Sequence, residues 1–387
     1  MADVYFTIIT LLTLYFLFLS AKNIKTLKTL NVSPIPPDSP KVSVCIPARN
    51  EEKNIGACLD SLVRQDYPDY EVLVIDDNST DLTWEIMTVY LAKSPRVRIF
   101  RGDPLPQGWS GKQYACHQLS GQATGDILVF TDADTVYSPK GISWIVSSLR
   151  HHNADFMSGY LKHTIGSIGE AIVVPAMYLM TTLLMPLWLI PRKNHPLISF
   201  GIGQLLVCRK EAFRAIGGYE NIRDSVVEDM AMAWLMKSKG FKSIFVDAKK
   251  YIQCRMYDSF ASSFNGFVKN IYGAIHQNFL ALIGLFTLIA GVIQLPLIHL
   301  IDLLFNKSGG NIFMAGLPVA LFTLTWFRVT KDRRLPLYIG FLYPLIFINI
   351  LAIAVFSYVK TGLGGGADWK GRLVKCRQRQ HKTEDTG

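Results

Sequence analysis

Hydrophobic positions are distributed along this chain in two distinct ways. Near the N-terminus and in the last third they form continuous apolar blocks, at residues 4–20, 278–305, 312–327 and 335–359. Between residues 41 and 255 they form short runs separated by helical patterns. Because a membrane-spanning helix needs about 20 apolar residues, the pattern predicts an N-terminal transmembrane anchor, a water-facing domain and C-terminal membrane segments.

The water-facing region 41–255 has the pattern of an α/β domain. Its predicted strands are Val42–Ile46, Glu71–Ile75 and Ile127–Phe130, with helices from Glu51 to Gln65 and from about Leu82 to Ala92. Alternating strands and helices are typical of a mostly parallel sheet with helices on both faces. Such sheets bind ligands at the C-terminal ends of their strands, so we expect the functional residues there.

The apolar block Ile165–Ile190 admits two interpretations. By hydropathy it is another membrane span. However, it separates two acidic motifs that would share one site, and a single crossing would put them on opposite sides of the membrane. It also contains Glu170, Pro175 and Pro186, and Pro191 follows it directly; these residues suit a broken helix lying in the membrane interface. We therefore predict an interfacial segment at 165–190 and an amphipathic connector at 256–277.

The composition supports a membrane protein with a water-facing part. Of 387 residues, 50% are hydrophobic and 18% are charged, whereas soluble proteins carry about 25% charged residues. No two of the six cysteines form a C-x-x-C pair, which argues against a zinc site. The net charge is +10, but no basic-aromatic stretch typical of nucleic-acid binding is present. The sequence therefore predicts a lipid bilayer, and no nucleic acid, as partner.

Basic residues beside the apolar blocks predict the orientation in the membrane. Lys22, Lys25 and Lys28 follow the anchor, and basic residues favour the cytoplasmic side. We therefore predict an uncleaved anchor and a cytoplasmic α/β domain in a multi-pass protein of the cell membrane. The tail 360–387 is also basic. Because 335–359 has basic residues at both ends, a re-entrant course there conflicts least with charge, and the number of C-terminal spans stays open.

Two acidic residues, Asp76 and Asp77, follow the second predicted strand. Carboxylates at a strand tip can accept hydrogen bonds from a base N–H and a ribose hydroxyl. The alternative is an Asp-rich turn that caps the next helix, with Thr80 or Asp81 at the N-cap. Both interpretations fit these residues alone.

A second acidic motif follows the buried strand Ile127–Phe130. Strand alternation would point Asp132 and Asp134 to the same side, where they could share one hard cation. Mg²⁺ or Mn²⁺ prefers oxygen ligands and would bridge to a diphosphate, neutralising the charge of a departing nucleotide. A lone acidic turn is the alternative.

Lys112 and the pair Glu228 and Asp229 each begin a helical pattern. Lys112 could counter a phosphate at the start of the predicted helix Gln113–Leu119, or be a solvated surface lysine. Glu228 and Asp229 open an apolar helix, where a carboxylate either stabilises the helix N-terminus or acts as a general base toward an attacking hydroxyl.

Three further cations lie close to the C-terminal membrane segments. They are Arg255, Lys269 and Arg372. Each belongs to a basic cluster that is either a cytoplasmic flank of a membrane segment or part of a site for an anionic substrate.

Taken together, these stretches resemble the membrane-bound family 2 glycosyltransferases with a GT-A domain. The ordered set is Pro-Ala-Arg-Asn-Glu-Glu, Asp-Asp-x-Ser-x-Asp, Gly-x-x-Gly-Lys, Asp-Ala-Asp and Glu-Asp, over residues 41 to about 250. As a set it is far more specific than any single motif. Gly111-Lys112, Arg255-Met256-Tyr257 and Trp369-Lys370-Gly371-Arg372 resemble a narrower branch, the diaponeurosporenoate and hopanoid-associated glycosyltransferases. Ceramide glucosyltransferase is similar more distantly.

The resemblance implies an α/β fold of the GT-A type that binds a nucleotide-diphospho-sugar donor. Asp76 and Asp77 would hold the base and the ribose. Pro47, Arg49 and Glu51, in the first motif of the set, would lie at the same donor site.

The resemblance also implies roles for the remaining motifs. Asp132 would face the ribose or the metal, and Asp134 would coordinate Mg²⁺ or Mn²⁺. Asp229, with Glu228 beside it, would be the catalytic base of an inverting displacement. In that reaction the acceptor hydroxyl attacks the anomeric carbon from the face opposite the leaving diphosphate, as water does in inverting glycosidases.

One departure from the family bears on the type of product. Processive synthases and ceramide glucosyltransferase carry Gln/Arg-x-x-Arg-Trp after the base, and the matching stretch 262–269 lacks it. Lys269, Arg255 and Arg372 are then the candidates for the diphosphate, in no defined order. We predict transfer of a single sugar from a nucleotide-sugar to a membrane lipid on the cytoplasmic face. The alternatives are a processive polysaccharide synthase and a catalytically inactive membrane scaffold with this fold.

Overall fold

In the computed structural model, a seven-stranded α/β domain adjoins a group of apolar helices. The structure describes residues 2–27, 30–34, 36, 38–192, 195–225, 227–275, 277–306, 309–363, 367–369 and 372–374. At Met180 and within 367–374 it describes the backbone only. Lys28, predicted to flank the anchor, lies outside the described residues.

The strands described between residues 42 and 254 form two sheets. They are β1 (Val42–Ala48), β2 (Tyr70–Asp76), β3 (Val97–Arg101), β4 (Ile127–Phe130), β5 (Thr135–Tyr137), β6 (Phe156–Tyr160), β7 (Lys162–His163), β8 (Leu206–Arg209), β9 (Ser243–Asp247) and β10 (Ile252–Cys254). The main sheet has the order β3-β2-β1-β4-β8-β6-β9, and β5, β10 and β7 form the second. In the main sheet only β8 runs antiparallel to its neighbours, β4 and β6. The predicted mostly parallel α/β sheet is therefore confirmed.

The helices alternate with these strands and then follow them. They are α1 (Ala2–Thr26), α2 (Ile55–Leu62), α3 (Thr83–Lys93), α4 (Gly111–Gln122), α5 (Gly141–His152), α6 (Ile168–Ala171), α7 (Lys210–Ala215), α8 (Glu228–Ser238), α9 (Phe260–Ala274), α10 (Phe279–Leu288), α11 (Leu295–Phe305), α12 (Ile312–Asp332) and α13 (Tyr343–Ser357). The helix predicted from Glu51 begins four residues later, because Glu51–Asn54 form a hydrogen-bonded turn.

Both faces of the main sheet are covered. On one face Val44 and Val74 pack with Leu59 of α2, and on the other Cys45 packs with Leu119 of α4. All five side chains are fully buried. Burial on two faces explains why these strands are near-continuous apolar runs in the sequence.

The segment 165–190 is broken into short turns. α6 is followed by a 3₁₀ turn at Val174–Ala176, a π-helical stretch at Leu179–Leu184 and a second 3₁₀ turn at Leu187–Leu189. Pro175 lies in the first turn of its 3₁₀ helix and Pro186 caps the other. A missing N–H is tolerated at such positions, and the prolines stop any longer helix from forming.

This segment packs between α1 and the α/β domain. The Asn23 side chain of α1 donates to the carbonyl oxygens of Thr182 (3.0 Å) and Met185 (2.8 Å) and accepts from the Leu187 N–H (2.9 Å). Tyr178 is fully buried. Asn23 thus satisfies backbone groups that the broken helix leaves unpaired.

Four helices in the described part of the chain are long and apolar enough to span a membrane. They are Asp3–Thr26, Phe279–Phe305, Ile312–Asp332 and Tyr343–Leu363. The second joins α10 to α11 through a π-helical stretch at Ile289–Gln294, and the fourth continues α13 through another at Tyr358–Leu363. A 3₁₀ turn, Leu337–Gly340, precedes the fourth helix. The predicted block 335–359 is therefore not one continuous helix.

Both ends of the segment from Arg333 to Leu363 adjoin the α/β domain or α9. At one end Arg333 pairs with Asp247 at the end of β9. At the other end the Ser357 hydroxyl accepts a hydrogen bond from the Tyr272 N–H of α9 at 2.9 Å.

Between these ends the segment turns, and residues at the turn contact the middle of two neighbouring apolar helices. The Pro344 carbonyl accepts from the Gln294 side chain at 2.9 Å, and the Thr323 hydroxyl donates to the Tyr343 hydroxyl at 3.4 Å. Gln294 lies near the middle of Phe279–Phe305, and Thr323 near the middle of α12. The segment therefore extends from the α/β domain to about the middle of these two helices and then returns to α9.

A buried ionic cluster joins α12 to the α/β domain. Arg333 and Asp247 are each 2% exposed, and their side chains lie 3.6 Å apart. Lys249 contacts both Asp247 (2.8 Å) and Asp332 (3.2 Å). The Arg333 guanidinium also lies over the Tyr160 ring, 4.2 Å from its centroid. Removing one charge from such a cluster leaves others buried and uncompensated. The cluster links the end of α12 to the end of β9.

A short hairpin follows α13. Strands β11 (Ala367–Trp369) and β12 (Arg372–Val374) pair antiparallel, and the backbone of β11 lies against α9. Lys370, Gly371 and most of the predicted basic tail lie outside the described residues.

Candidate active site

A cleft of about 1140 Å³ lies at the C-terminal ends of β1 and β4. The loops after the strands line one side, and α9 lines the other. Two groups of side chains line it. Most of the acidic and basic residues predicted from the motifs form the first group, here called the polar arm, and Met177, Phe200, Ile271 and Ala274, with Lys360, are here called the apolar arm.

The loop after β2 is held by Arg49. The Arg49 guanidinium donates to the carbonyl oxygens of Asp77 (2.6 Å) and Asn78 (2.9 Å). Arg49 and Asp77 line the cleft together with Pro47. Asp76 is buried at the end of β2, where its carboxylate accepts from a backbone N–H at 3.2 Å. Asp76 therefore shapes the loop, and Asp77 borders the cleft.

The helix-capping role falls to Asp81. Its carboxylate accepts from the N–H of Thr83 at 3.1 Å, at the start of α3, and from the N–H of Glu52 at 3.1 Å. These bonds hold the pKa of Asp81 below its usual range against the opposing effect of burial. The carboxylate that holds the start of α3 is therefore that of Asp81, and not that of Asp76 or Asp77.

Asp132 and Asp134 lie in a turn, not on an extended strand. β4 ends at Phe130, and the Asp132 carbonyl accepts from the N–H and the hydroxyl of Thr135 at 3.2 and 2.7 Å. Both acids line the cleft, as predicted, although strand alternation is not what orients them. The chain leaves the sheet here because Thr135 starts a strand of the second sheet.

The environment of Asp134 fits a hard cation. Burial raises the pKa of Asp134 to about 8, and the neighbouring carboxylates of Asp132 and Glu51 add to the rise. One Asp134 oxygen, Oδ1, is buried with no hydrogen-bond partner among the described residues. Oxygen ligands from one or two carboxylates suit Mg²⁺ or Mn²⁺, whose remaining sites phosphates and water commonly fill. The described residues include no larger group of metal-binding side chains.

Lys112 links two of the acidic motifs. Its Nζ lies 2.7 Å from Asp132 Oδ1 and 2.8 Å from Glu228 Oε1. Burial opposes the charged form, but these two carboxylates outweigh it and hold the pKa of Lys112 well above its usual range. Lys112 therefore lines the cleft, with its ammonium group paired to two carboxylates.

Asp229 is held by two backbone donors. Its Oδ2 accepts from the Gly203 N–H and its Oδ1 from the Met230 N–H, both at 2.8 Å. Burial and the adjacent Glu228 carboxylate raise the pKa of Asp229 to about 7, although Lys112 and the backbone bonds oppose the rise. For Glu228, burial is outweighed by Lys112 and Lys269, which lower its pKa. The two neighbouring acids thus differ in proton affinity, which suits a general base near neutral pH.

The remaining predicted cations have different surroundings. Arg255 forms a two-point ion pair with buried Glu170, at 2.9 Å from Nη2 and 3.3 Å from Nε. Lys269 lines the cleft from α9, and burial together with Lys112 lowers its pKa although Glu228 opposes this. The side chain of Arg372 lies outside the described residues. Arg255 is thereby engaged in a protein contact, while Lys269 adjoins the acidic residues.

The family can be identified from the sequence of the domain that builds this cleft. Residues 43–217 match the family described as Glycosyl transferase family 2. This region is a family 2 glycosyltransferase domain. It carries β1, β2 and β4 with the acids that follow them, whereas Glu228, Asp229 and Lys269 lie beyond the matched residues.

Full-length relatives extend the likeness beyond the family 2 domain. Two proteins of Staphylococcus aureus, from strains MRSA252 and USA300, are 26% and 25% identical to this chain over 88% of its length and 89% of theirs. Both are described as 4,4'-diaponeurosporenoate glycosyltransferase. The resemblance inferred from the motifs is thus confirmed, and it includes the apolar C-terminal region.

A solved structure shares the fold across nearly the whole chain. It is the mannosyltransferase PcManGT from Pyrobaculum calidifontis, in complex with GDP-Man and Mn²⁺. The TM-score is 0.53 at 16% identity, over 93% of this chain and 98% of that one. The family 2 domain therefore has the predicted GT-A fold.

The structure adds residues that the motifs did not indicate. Gly203 supplies the N–H that holds Asp229, and a Cβ there would lie 3.1 Å from Lys112 Nζ. Glu170 was noted as a polar residue in an apolar block, but its pairing with Arg255 joins positions 85 residues apart. Met177 and Phe200 line the apolar arm. Apart from the glycines around Ile202, no local pattern marks these positions.

Proposed function

We propose that the chain transfers a single sugar, with inversion, from a nucleotide-sugar to a lipid or lipid-like acceptor at the cytoplasmic face of the membrane. The acceptor presents a hydroxyl or a carboxylate. The observation that carries this proposal is that one cleft is lined both by the charged residues of the polar arm and by the apolar arm, which includes Lys360 of an apolar helix.

The polar arm provides the donor site. Asp77 and Arg49 border the space for the base and ribose, with Asp76 shaping the loop behind them. Lys112 and Lys269 are the cations that would meet the diphosphate. When a donor enters, its phosphates would compete with Asp132 and Glu228 for Lys112, which now neutralises both carboxylates.

The apolar arm supports a lipid acceptor. Met177, Phe200 and Ile271 give it an apolar wall, and Lys360 of the fourth apolar helix borders it. An acceptor held in the bilayer could reach the cleft along this wall without exposing its apolar part to water. The Staphylococcus aureus relatives are named for a compound of this lipid-like type.

Asp229 acts as the general base. The acceptor oxygen forms a bond to the anomeric carbon while the bond to the donor diphosphate breaks, and the acceptor proton passes to an Asp229 oxygen. The Gly203 and Met230 N–H groups fix the orientation of that carboxylate throughout. A carboxylate acceptor arrives ionised and brings no proton for Asp229 to remove.

Asp132 and Asp134 would hold Mg²⁺ or Mn²⁺, and we propose that activity depends on it. The ion would supply charge neutralisation for the departing diphosphate. The partnerless oxygen of Asp134 and its raised pKa support this assignment.

We further propose that the segment from Arg333 to Leu363 is re-entrant. Its ends contact β9 and α9, and its turn lies halfway along α12. With α1, Phe279–Phe305 and α12 as spans, the domain and the β11–β12 hairpin then lie on one side, which the basic residues beside α1 make the cytoplasmic side.

Lipid mass spectrometry tests the function directly. Membranes from cells with the protein, without it, and with the Asp229→Asn variant are incubated with a panel of nucleotide-sugars. A lipid carrying one added hexose, present only with the unaltered protein, is expected. Longer glycans would favour the polysaccharide synthase, and no turnover of any nucleotide-sugar would favour the inactive scaffold.

A further inference from the structure

A chain of buried polar side chains connects the segment 165–190 with Asp134. The Tyr178 hydroxyl lies 2.8 Å from His163 Nδ1, and His163 Nε2 lies 2.9 Å from Gln204 Oε1. The Gln204 amide nitrogen lies 3.1 Å from Cys254 Sγ. Cys254 lies opposite Thr135, the residue after Asp134, in the pairing of β10 with β5, and its thiol lowers the pKa of the Asp134 carboxyl against the larger effect of burial. None of the four side chains before Asp134 is more than 4% exposed.

In this series of hydrogen bonds each donor points toward the next residue in the direction of Asp134. The Gln204 oxygen can only accept, so His163 donates from Nε2 and accepts the Tyr178 hydroxyl at Nδ1. Gln204 then donates to the Cys254 sulfur, which leaves the thiol hydrogen free for Asp134. Burial lowers the pKa of His163 to about 4, so the ring is neutral at pH 7 and suited to this pattern.

Such an arrangement is costly to bury unless every group is paired. Packing of the core does not require these polar groups, because Tyr178 and Cys254 each belong to an apolar cluster. Asp134, at one end, lines the cleft. Tyr178, at the other end, is fully buried, but Met177 and Thr181, close to it in sequence, line the cleft.

We propose that His163 is a positioning residue, and that the chain Tyr178–His163–Gln204–Cys254 orients the Asp134 carboxyl for its cation. This inference rests on the proposed function, because it takes Asp134 as a metal ligand. Partners of metal ligands typically change metal affinity or activity by about 10–100-fold when removed.

The test uses the full-length protein in detergent and Mn²⁺ alone as the probe. Free Mn²⁺ is followed by electron paramagnetic resonance during titration, and thermal unfolding is measured on the same samples. Tyr178→Phe removes the first donor and Cys254→Ala the last. Tyr160→Phe is the matched control, because the Tyr160 hydroxyl is equally buried and bonds to Thr182 (3.0 Å), outside the chain.

We expect Tyr178→Phe and Cys254→Ala to weaken Mn²⁺ binding by about tenfold, with Tyr160→Phe within about twofold of the unaltered protein. Cys254→Ser keeps a donor and an acceptor at the same place and should restore binding. Unchanged affinity in Tyr178→Phe and Cys254→Ala, or equal losses in Tyr160→Phe, would overturn the positioning role alone. Absence of Mn²⁺ binding in the unaltered protein would instead overturn the metal assignment on which it rests.

Discussion

Asp229→Asn separates the chemistry of the proposed base from its place in the fold. The change keeps the size of the side chain and removes its ability to take a proton. The carboxylate now accepts two backbone N–H bonds, from Gly203 and Met230 at 2.8 Å each. An amide has one oxygen, so one of these bonds is lost.

The two consequences differ in size. Loss of one hydrogen bond of this kind costs about 1 kcal/mol of stability. Loss of general-base catalysis lowers kcat by roughly 10²–10⁴, or about 2.7–5.4 kcal/mol in the barrier. Because Asp229 is not among the residues that border the base and ribose, donor affinity should stay nearly unchanged.

The pH dependence gives an independent check on the same residue. Asp229 must be ionised to accept a proton, and its pKa is about 7. Between pH 6 and pH 8 the ionised fraction rises about tenfold, so kcat/KM should rise about tenfold and then level off. Asp229→Asn should flatten this limb of the profile.

The assay is transfer of sugar to a hydroxyl acceptor by detergent-purified protein, with donor binding measured by calorimetry. Thermal unfolding of each variant provides the control for folding. Weakened donor binding with an intact kcat would move Asp229 to the donor pocket and refute the reasoning. A flat profile in the unaltered protein would refute the assigned proton transfer.

Two further predictions concern the metal and the membrane. Asp134→Ala should leave the protein folded and lower turnover by at least about 10²-fold, because diphosphate neutralisation is lost; full activity of this variant, or undiminished activity in EDTA, would contradict the metal assignment. Single cysteines at Asn311, Lys331 and Lys360 in a cysteine-free background test the re-entrant segment. Labelling from outside intact cells is expected at Asn311 only, and labelling at Lys360 would show that the fourth apolar helix crosses.

The apolar runs were sufficient to predict three of the strands of the main sheet, β1, β2 and β4, because these strands are buried on both faces. Ile127–Phe130 agrees residue for residue with β4, and the acids after it do line the cleft. The turn that orients Asp132 and Asp134 was not predictable, because it depends on Thr135 entering a second sheet with β10. Strand periodicity carries no information about pairing between such distant segments.

The charged contacts were predictable only in part. Lys112 was recognised as a candidate for a phosphate, yet its contact with Glu228 joins residues from two helices far apart in the chain. The ion pair of Arg255 with Glu170 likewise joins two residues that are far apart in the chain. Long-range contacts of this kind are set by the packing of whole elements, so residue types and spacing indicate the participants without indicating their partners.

The packing of the first helix against the later ones also constrains how the protein is made. The Tyr5 hydroxyl donates to the Gly291 carbonyl at 2.5 Å, across 286 positions of chain, and α1 also lies along α12. At a synthesis rate of roughly 5–20 residues per second, the ribosome needs roughly 15 to 60 s to deliver these partners. During that time the family 2 domain can fold and α9 is made, but Lys360 of the cleft is still missing. Completion of the cleft therefore waits for Lys360, so a chain truncated before α12 would release a folded domain whose cleft lacks Lys360 and whose anchor lacks its contact with α12.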